Sequence, residues 1–304
     1  MTLSEIFFLT AGIILFFIIF FIIKNFRGFF YDSRPSRFIY YSVIFGCGFF
    51  LGIIKSGALS GISLWVNFLS GLFLINVLFL SSTILNNVYD KDIDRYNKKP
   101  NPLIGTISKK DYMKIYYICF FSSLLVSLSL NITSFFITLI ILVTAFIYSC
   151  PPLRVKRFFP FNIILIGFSS VLALFLGFAS SNEFKIIYDF PYRLGIAMLI
   201  VLSLAFNVKD INDYKGDKKY KIKTIMTLFG YKKGKIITAL LAFSGYVLLP
   251  VLLDFKVMLF YSFIFGALTF IIIIKSKNVV NESVVFSVFF IYLFIFILHK
   301  PALF

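Results

Sequence analysis

The sequence predicts an all-α membrane protein, a polytopic transmembrane helical bundle of about nine core helices preceded by one additional hydrophobic helix. Composition is the first reason, because 60% of the residues are hydrophobic, 20% are aromatic and only 14% are charged. The mean hydropathy is +0.96, whereas soluble domains are about half apolar and about a quarter charged. The second reason is that apolar runs of about 17 to 22 residues recur along the chain, each long enough to cross a hydrocarbon layer of roughly 30 Å as a helix.

The apolar runs define the core segments in chain order. They lie at about 38–54, 64–85, 112–130, 132–148, 160–180, 191–208, 235–253, 256–274 and 282–298. A further run at 6–23 has no basic residues before it and no obvious small-residue cleavage site, so we interpret it as a retained helix rather than a signal peptide. We therefore expect an N-terminal hydrophobic anchor and linker at 1–33 and a transmembrane domain at 34–304.

The distribution of basic residues predicts the orientation. If the segments alternate in direction, 25 of the 30 lysine and arginine residues fall on one side. The positive-inside rule makes that side cytoplasmic, and we expect the protein in the cytoplasmic membrane. The formal net charge of +17 has two interpretations. It reflects this topology together with attraction to anionic lipid headgroups, or it serves to bind an anionic substrate. Nucleic-acid binding is disfavoured, because the basic residues lie in short loops rather than on one soluble face.

The carboxylates are concentrated in two places. Six of the 13 lie in two short stretches, 86–94 and 210–217, and each stretch ends a strongly apolar segment. Both stretches fall on the predicted cytoplasmic side. An unpaired charge at the end of a membrane-spanning segment is costly, so a functional site is the default interpretation of these stretches.

The first stretch has a helical spacing. Asn86, Asp90 and Asp94 are separated by four residues, so a helix aligns their side chains along one face. Asp92 points away from this face, and we interpret it as a bystander. Like charges one helical turn apart destabilise a helix unless something positive lies between them. The spacing therefore predicts that a cation binds here.

The second stretch repeats the pattern with Asp213 and Asp217, and Asp210 lies close to the same face. Oxygen ligands without histidine or cysteine select a hard cation, and a site completed by substrate phosphates suits Mg²⁺. The single histidine and three scattered cysteines form no zinc or disulfide pattern. The alternative is that these acids solubilise loops and pair with neighbouring lysines.

A basic element follows the fourth core segment. It reads Tyr148-Ser149-Cys150-Pro151-Pro152-Leu153-Arg154-Val155-Lys156-Arg157. The proline pair ends the helix, and the arginine and lysine side chains after it complement phosphate charge. The alternative is that these are ordinary positive-inside residues at a helix end.

Together these stretches resemble the UbiA superfamily of intramembrane prenyltransferases, with similarity to its archaeal and chlorophyll-synthase-like branches. The family pattern N-D-x-x-D-x-x-x-D is similar to 86–94, and K-D-x-x-D-x-x-G-D is similar to 209–217. The resemblance extends over about 34–298. The chain departs from the pattern at Asn87, where many members have Asp, and at Asn101, where an Arg is common.

The resemblance implies a specific set of site residues. Two Mg²⁺ ions would be bound with the diphosphate by Asn86, Asp90, Asp94, Asp213 and Asp217, of which Asp90 and Asp213 are expected to be catalytic. The diphosphate would also contact Arg154, Lys156 and Lys209, with Asp210 and Arg95 in support. Tyr148 is the residue expected to stabilise the allylic cation through its aromatic face.

The resemblance also implies the activity. A polyprenyl group would pass from a prenyl diphosphate, with geranylgeranyl diphosphate as the expected donor, to an aromatic or lipid acceptor that is hydrophobic. Membrane lipids would surround the bundle. The alternative from another class is a polytopic transporter for divalent cations or phosphorylated solutes, although transporters usually place charged sites near the bilayer midplane.

Overall fold

A computed structural model of the protein describes residues 2–24, 29–30, 33–56, 61–181, 186–276 and 279–299. Within these ranges the chain is helical and forms no strand. Ten helical spans in the described ranges, three of which join consecutive helices or helical turns, are long and apolar enough to cross a membrane, which confirms the predicted all-α fold of an integral membrane protein. Parts of the predicted linker and of the C-terminus, at 25–28, 31–32 and 300–304, lie outside the described residues.

Twelve helices position the elements discussed below. They are α1 Leu3–Phe17, α2 Pro35–Ser56, α3 Ile62–Tyr96, α4 Lys109–Leu130, α5 Ile132–Ser149, α6 Phe161–Ser181, α7 Tyr192–Ala205, α8 Lys209–Lys219, α9 Ile225–Phe229, α10 Tyr231–Leu252, α11 Leu259–Lys275 and α12 Glu282–His299. Short helical turns occur at Ile19–Ile22, Pro102–Ile104, Val155–Arg157, Ile186–Asp189, Phe206–Val208 and Lys256–Met258.

The chain divides into two compact units. Unit 1 comprises residues 1–154 and 172–190, and unit 2 comprises 155–171 and 191–304. In unit 1, α1 packs along α4, and α3 packs against α2, α4 and α5. The Ser122 hydroxyl on α4 donates a hydrogen bond of 2.7 Å to the Gly12 carbonyl on α1. The N-terminal helix is therefore an integral part of unit 1.

Unit 2 is built around α10. This helix packs against α7, α9 and α11, and α11 packs against α12. The side chain of Lys235 on α10 is buried, and its ammonium group donates to the main-chain carbonyls of Ile274 and Ser276 at the end of α11. A cation in this position satisfies carbonyls that have no partner within their own helix.

Two glycines set the distance between α2 and the second half of α6 within unit 1. A Cβ atom at Gly48 would lie 1.9 Å from the Leu174 carbonyl oxygen, and one at Gly177 would lie 2.0 Å from the Phe45 carbonyl oxygen. No side chain fits at such distances. The two backbones therefore touch directly, as at small-residue interfaces between membrane helices.

We predict that Gly48→Ala destabilises the protein by about 2 kcal/mol, because the added methyl group forces the helices apart. Gly46→Ala is the matched control, since a Cβ there meets nothing within 4 Å and alanine favours a helix by up to about 1 kcal/mol. Thermal unfolding in detergent measures both changes. Equal unfolding temperatures for the two variants would contradict the assignment of Gly48 as a packing position.

Candidate functional site

The first acidic motif stands on the last turns of α3. This helix continues to Tyr96, beyond the apolar run predicted at 64–85, so Asn86, Asp90 and Asp94 project from one helical face. Asp90 and Asp94 are only 7% and 4% exposed, and Asn86 is half-buried. Asp92 and Arg95 are exposed. The carboxylates that share the predicted face are thus the buried ones.

Arg154 is bound to the first of these carboxylates. Its guanidinium donates to Asp90 Oδ1 at 2.9 Å and to the main-chain carbonyl of Tyr89 at 2.7 Å. Among the described residues its Nε has no hydrogen-bond partner, although it is buried. The backbone φ of Arg154 is 39°, a left-handed conformation that is uncommon outside glycine and often occurs at functional sites. Arg154 therefore holds Asp90 and retains a donor suited to a phosphate oxygen.

Asp94 is held by two residues that sequence reasoning did not assign to the site. The Asn101 side-chain amide donates to Asp94 Oδ2 at 2.8 Å. The guanidinium of Arg34, the residue before α2, lies 3.6 Å from the same oxygen. No spacing rule links either residue to Asp94, and the only signal was the departure from the family pattern at position 101.

The two departures from the family pattern are in contact. Asn87 is fully buried, and its amide donates to the Tyr112 hydroxyl at 3.0 Å. The Asn101 amide donates to the main-chain carbonyl of Asn87 at 2.9 Å. The neutral side-chain amides of Asn87 and Asn101 therefore belong to one hydrogen-bonded network next to the first motif.

Tyr148 lies half-buried in the last turn of α5, in unit 1. Cys150, two residues further on, is buried. Burial is the strongest influence on this thiol and raises its pKa, while the Tyr89 hydroxyl and Arg154 act in the opposite direction. The Cys150 thiol therefore remains protonated at neutral pH.

The second acidic motif occupies α8 in unit 2. A 3₁₀ turn at Phe206–Val208 joins α7 to this helix. Asp210 and Asp217 are buried and Asp213 is half-buried, and the Lys209 ammonium lies 3.7 Å from Asp210 Oδ1. The four-residue spacing of Asp213 and Asp217 is helical, as predicted.

Asn212 on α8 forms hydrogen bonds with the segment that precedes α12. Its amide donates to the Val280 carbonyl at 2.9 Å, and its side-chain oxygen accepts from the Val280 amide at 2.8 Å. This pair reproduces the hydrogen bonding of two adjacent strands with one side chain. The motif helix is therefore anchored in its first half.

Val155–Arg157, the last three residues of the basic element, belong to unit 2, and Arg157 lies beside the end of α8. Lys156 is only 8% exposed. The adjacent Arg157 donates to the Tyr220 carbonyl at 3.2 Å, and its own carbonyl accepts from the Lys223 amide at 3.0 Å. Arg157 is therefore joined to the residues that follow the second motif.

The donor set fits a hard cation. In the part of the chain that the structure describes, no three His, Cys, Asp or Glu side chains are grouped so as to hold a metal ion on their own. Mg²⁺ needs fewer protein ligands than that, because it commonly uses one or two carboxylates and completes its shell with water and substrate phosphates. The carboxylate pair of α3 meets this requirement.

The helices define a polytopic membrane protein whose acidic motifs stand on the last turns of α3 and on α8. The model of the UbiA prenyltransferase family matches residues 43–297. The chain belongs to this family.

Three similar proteins illustrate the range of the family. The chain is 28% identical over 227 residues to 2-acyl-4-prenylphloroglucinol 6-prenyltransferase of Humulus lupulus, a match that covers 71% of this chain and 54% of that relative. It is 25% identical over 243 residues to digeranylgeranylglyceryl phosphate synthase of Saccharolobus solfataricus, covering 75% and 83%. A UbiA homolog from Archaeoglobus fulgidus, bound to GPP and Mg²⁺, has the same fold with a TM-score of 0.69, 21% identity and coverage of 91% and 99%. The chain spans about half the length of the plant relative.

We predict that Asn212→Asp destabilises the protein by about 2 kcal/mol, because it loses the donor to Val280 and adds a carboxylate at a position 3.3 Å from Glu282 Oε1. Thermal unfolding in detergent measures the loss. Adding Glu282→Gln removes the repulsion and restores part of the stability. An unfolding temperature that is unchanged in Asn212→Asp would show that the contact with Val280 does not anchor α8.

Proposed function

We propose that the protein is a Mg²⁺-dependent prenyltransferase that moves a polyprenyl group from a prenyl diphosphate to an aromatic or lipid acceptor. The observation that carries the proposal is the pair of buried carboxylates on α3 with Arg154 bonded to Asp90. Buried carboxylates are retained at a cost, and a guanidinium with a spare donor complements phosphate. Family membership and the Mg²⁺ and GPP bound to the structural relative support the same proposed function.

The carboxylates would hold the metal. We infer that Asn86, Asp90 and Asp94 of α3 are ligands, and that Asp213 and Asp217 of α8 supply the remaining ones for two ions. Bound Mg²⁺ would neutralise the leaving diphosphate and so favour cleavage of the allylic C–O bond.

The basic residues would share the charge of the diphosphate. Arg154 would keep its hydrogen bonds to Asp90 and to the Tyr89 carbonyl and turn its remaining donors to phosphate oxygens, while Lys156 and Lys209 act as point charges. Asp210 would orient Lys209, which lies 3.7 Å from it, and Arg95 would support the charge balance at the exposed end of α3. These groups bind the departing diphosphate more strongly as its charge increases.

Tyr148 would stabilise the allylic cation through its ring. A carbon or hydroxyl nucleophile of the acceptor would then form the new bond to the prenyl carbon and lose a proton. We infer geranylgeranyl diphosphate as the donor, a hydrophobic acceptor that enters from the bilayer, and a site that opens to the cytoplasm. A prenyl tail left among helices and lipid throughout avoids exposure to water.

We predict that Asp90→Asn and Asp213→Asn each lower the rate of prenyl transfer by at least about a hundredfold, because each removes a charge that binds the metal and diphosphate. Asp92→Asn is the matched control on α3, since Asp92 is exposed, and it retains activity within about twofold. The assay follows radiolabelled geranylgeranyl diphosphate with purified protein, Mg²⁺ and a panel of aromatic and glycerol-phosphate acceptors.

Full activity in both Asp90→Asn and Asp213→Asn would overturn the assignment of the metal ligands. Absence of transfer to every acceptor, together with release of no diphosphate, would overturn the enzymatic function. Flux of a divalent cation across vesicles that depends on the same aspartates would instead support the transporter.

We predict that Tyr148→Leu lowers kcat about tenfold and leaves the KM for the prenyl diphosphate within about twofold, because the ring interacts with the cation only as it forms. Tyr148→Phe keeps the ring and retains most of kcat. Steady-state kinetics at saturating acceptor distinguish the two variants. Equal losses in Phe and Leu would assign the role of Tyr148 to its hydroxyl instead of its ring.

A further inference from the structure

We infer that Asn101 is a positioning residue for the metal site, which holds one oxygen of Asp94 so that the carboxylate faces a cation in a single orientation. This inference rests on the proposed function, because it assumes that Asp94 is a metal ligand. It deepens that function by assigning a task to a residue at which the chain departs from its family's pattern.

The side-chain amide of Asn101 is used in full. Its two N–H groups donate to Asp94 Oδ2 at 2.8 Å and to the Asn87 carbonyl at 2.9 Å. Its oxygen accepts from the Leu103 amide at 3.0 Å. The residue is only 3% exposed, so water has little access to replace these bonds. A side chain bound at three points in a buried place is rigid.

The loop that carries Asn101 is itself folded against the end of α3. The Lys99 amide donates to the Asp94 carbonyl at 2.9 Å, and the Asn97 amide donates to the Ile93 carbonyl at 2.9 Å. The 3₁₀ turn at Pro102–Ile104 begins directly after Asn101. The amide of Asn101 is therefore presented to Asp94 by a backbone that is fixed to the same helix.

The bond to Asn101 decides the orientation of the Asp94 carboxylate. The terminal torsion of an aspartate is broad, and the Arg34 guanidinium, at 3.6 Å, lies beyond hydrogen-bond distance. Among the described residues, Asn101 is thus the one that lies within hydrogen-bond distance of Asp94 Oδ2 and can define the rotation of the carboxylate. Hydrogen bonds to ligating carboxylates typically contribute about 10- to 100-fold to metal affinity.

Two substitutions separate this task from the role of Asn101 in the loop. Asn101→Asp keeps an oxygen that accepts from the Leu103 amide, but it loses the N–H donor and adds a negative charge beside Asp94. Asn101→Ser keeps a smaller capping oxygen without adding charge. Both variants retain the turn and lose the amide bond to Asp94.

Asn131 provides the matched control. Its side-chain oxygen accepts from the Ser134 amide at 2.7 Å, and its amide donates to the Ala179 carbonyl at 2.8 Å. Asn131→Asp therefore makes the same chemical change at a capping asparagine that has no described bond to an acidic motif. Any loss that comes from removing an amide bond to a main-chain carbonyl appears in this variant too.

Two readouts test the inference on purified full-length protein. The first is the Mg²⁺ concentration that gives half-maximal prenyl transfer, measured beside the rate at saturating Mg²⁺. The second is the rise in unfolding temperature as Mg²⁺ is titrated in the presence of inorganic diphosphate, which requires neither prenyl donor nor acceptor. We expect both Asn101 variants to raise the half-saturating Mg²⁺ about tenfold in both readouts and to recover most of the rate at saturation, whereas Asn131→Asp leaves it unchanged.

A wild-type protein that responds to Mg²⁺ and diphosphate, with both Asn101 variants responding at the same Mg²⁺ concentration, would overturn the inference and leave the proposed function standing. Should Asn101→Asp fail to fold, Asn101→Ser alone decides the result. A wild-type protein that shows neither transfer nor a thermal response would overturn the metal site and the inference together. A thermal response that the Asn101 variants shift, with neither transfer to any acceptor nor release of diphosphate, would support the inference while refuting the enzymatic function.

Discussion

The absence of water in the hydrocarbon layer is the constraint on which the rest of the structure depends. Each backbone N–H and carbonyl that crosses the layer needs a partner within the protein, and a helix supplies every one of them inside a single segment. The same constraint confines charged side chains to helix ends or to places where a partner is supplied. The acidic motifs fit this constraint, since they stand on the terminal turns of α3 and on α8, with cationic side chains beside their carboxylates.

The donors for the first motif come from different parts of unit 1. Arg154 follows α5, Arg34 precedes α2, and Asn101 lies in the loop after α3. Keeping a carboxylate buried requires such partners, and removing one leaves an uncompensated charge. The ends of several elements are therefore gathered at the end of α3, and the helix packing of unit 1 is what brings them there.

The sequence was sufficient to predict the fold, because hydropathy and length report directly on the medium in which a segment is stable. It also predicted the face shared by Asp90 and Asp94, since that face follows from helical spacing. The end of α3 at Tyr96 was not predicted, because polar residues extend a helix after it leaves the hydrocarbon and hydropathy no longer marks them. The contacts of Arg34 and Asn101 with Asp94 were missed as well. They depend on how the loops return to α3, and no periodicity in the chain encodes that.

The continuity of α3 has a consequence for how the protein tolerates insertions. Its 35 residues span about 52 Å at 1.5 Å per residue, which exceeds the hydrocarbon layer of roughly 30 Å by about 20 Å. The length of this continuous helix sets the distance between the bilayer and the face that carries Asp90 and Asp94. One extra residue within it would lift the face by about 1.5 Å and also turn it by about 100°, away from the donors that hold its carboxylates. The number of residues in α3 is therefore fixed by the position of the acidic face, whereas its lipid-facing side chains can vary among apolar types.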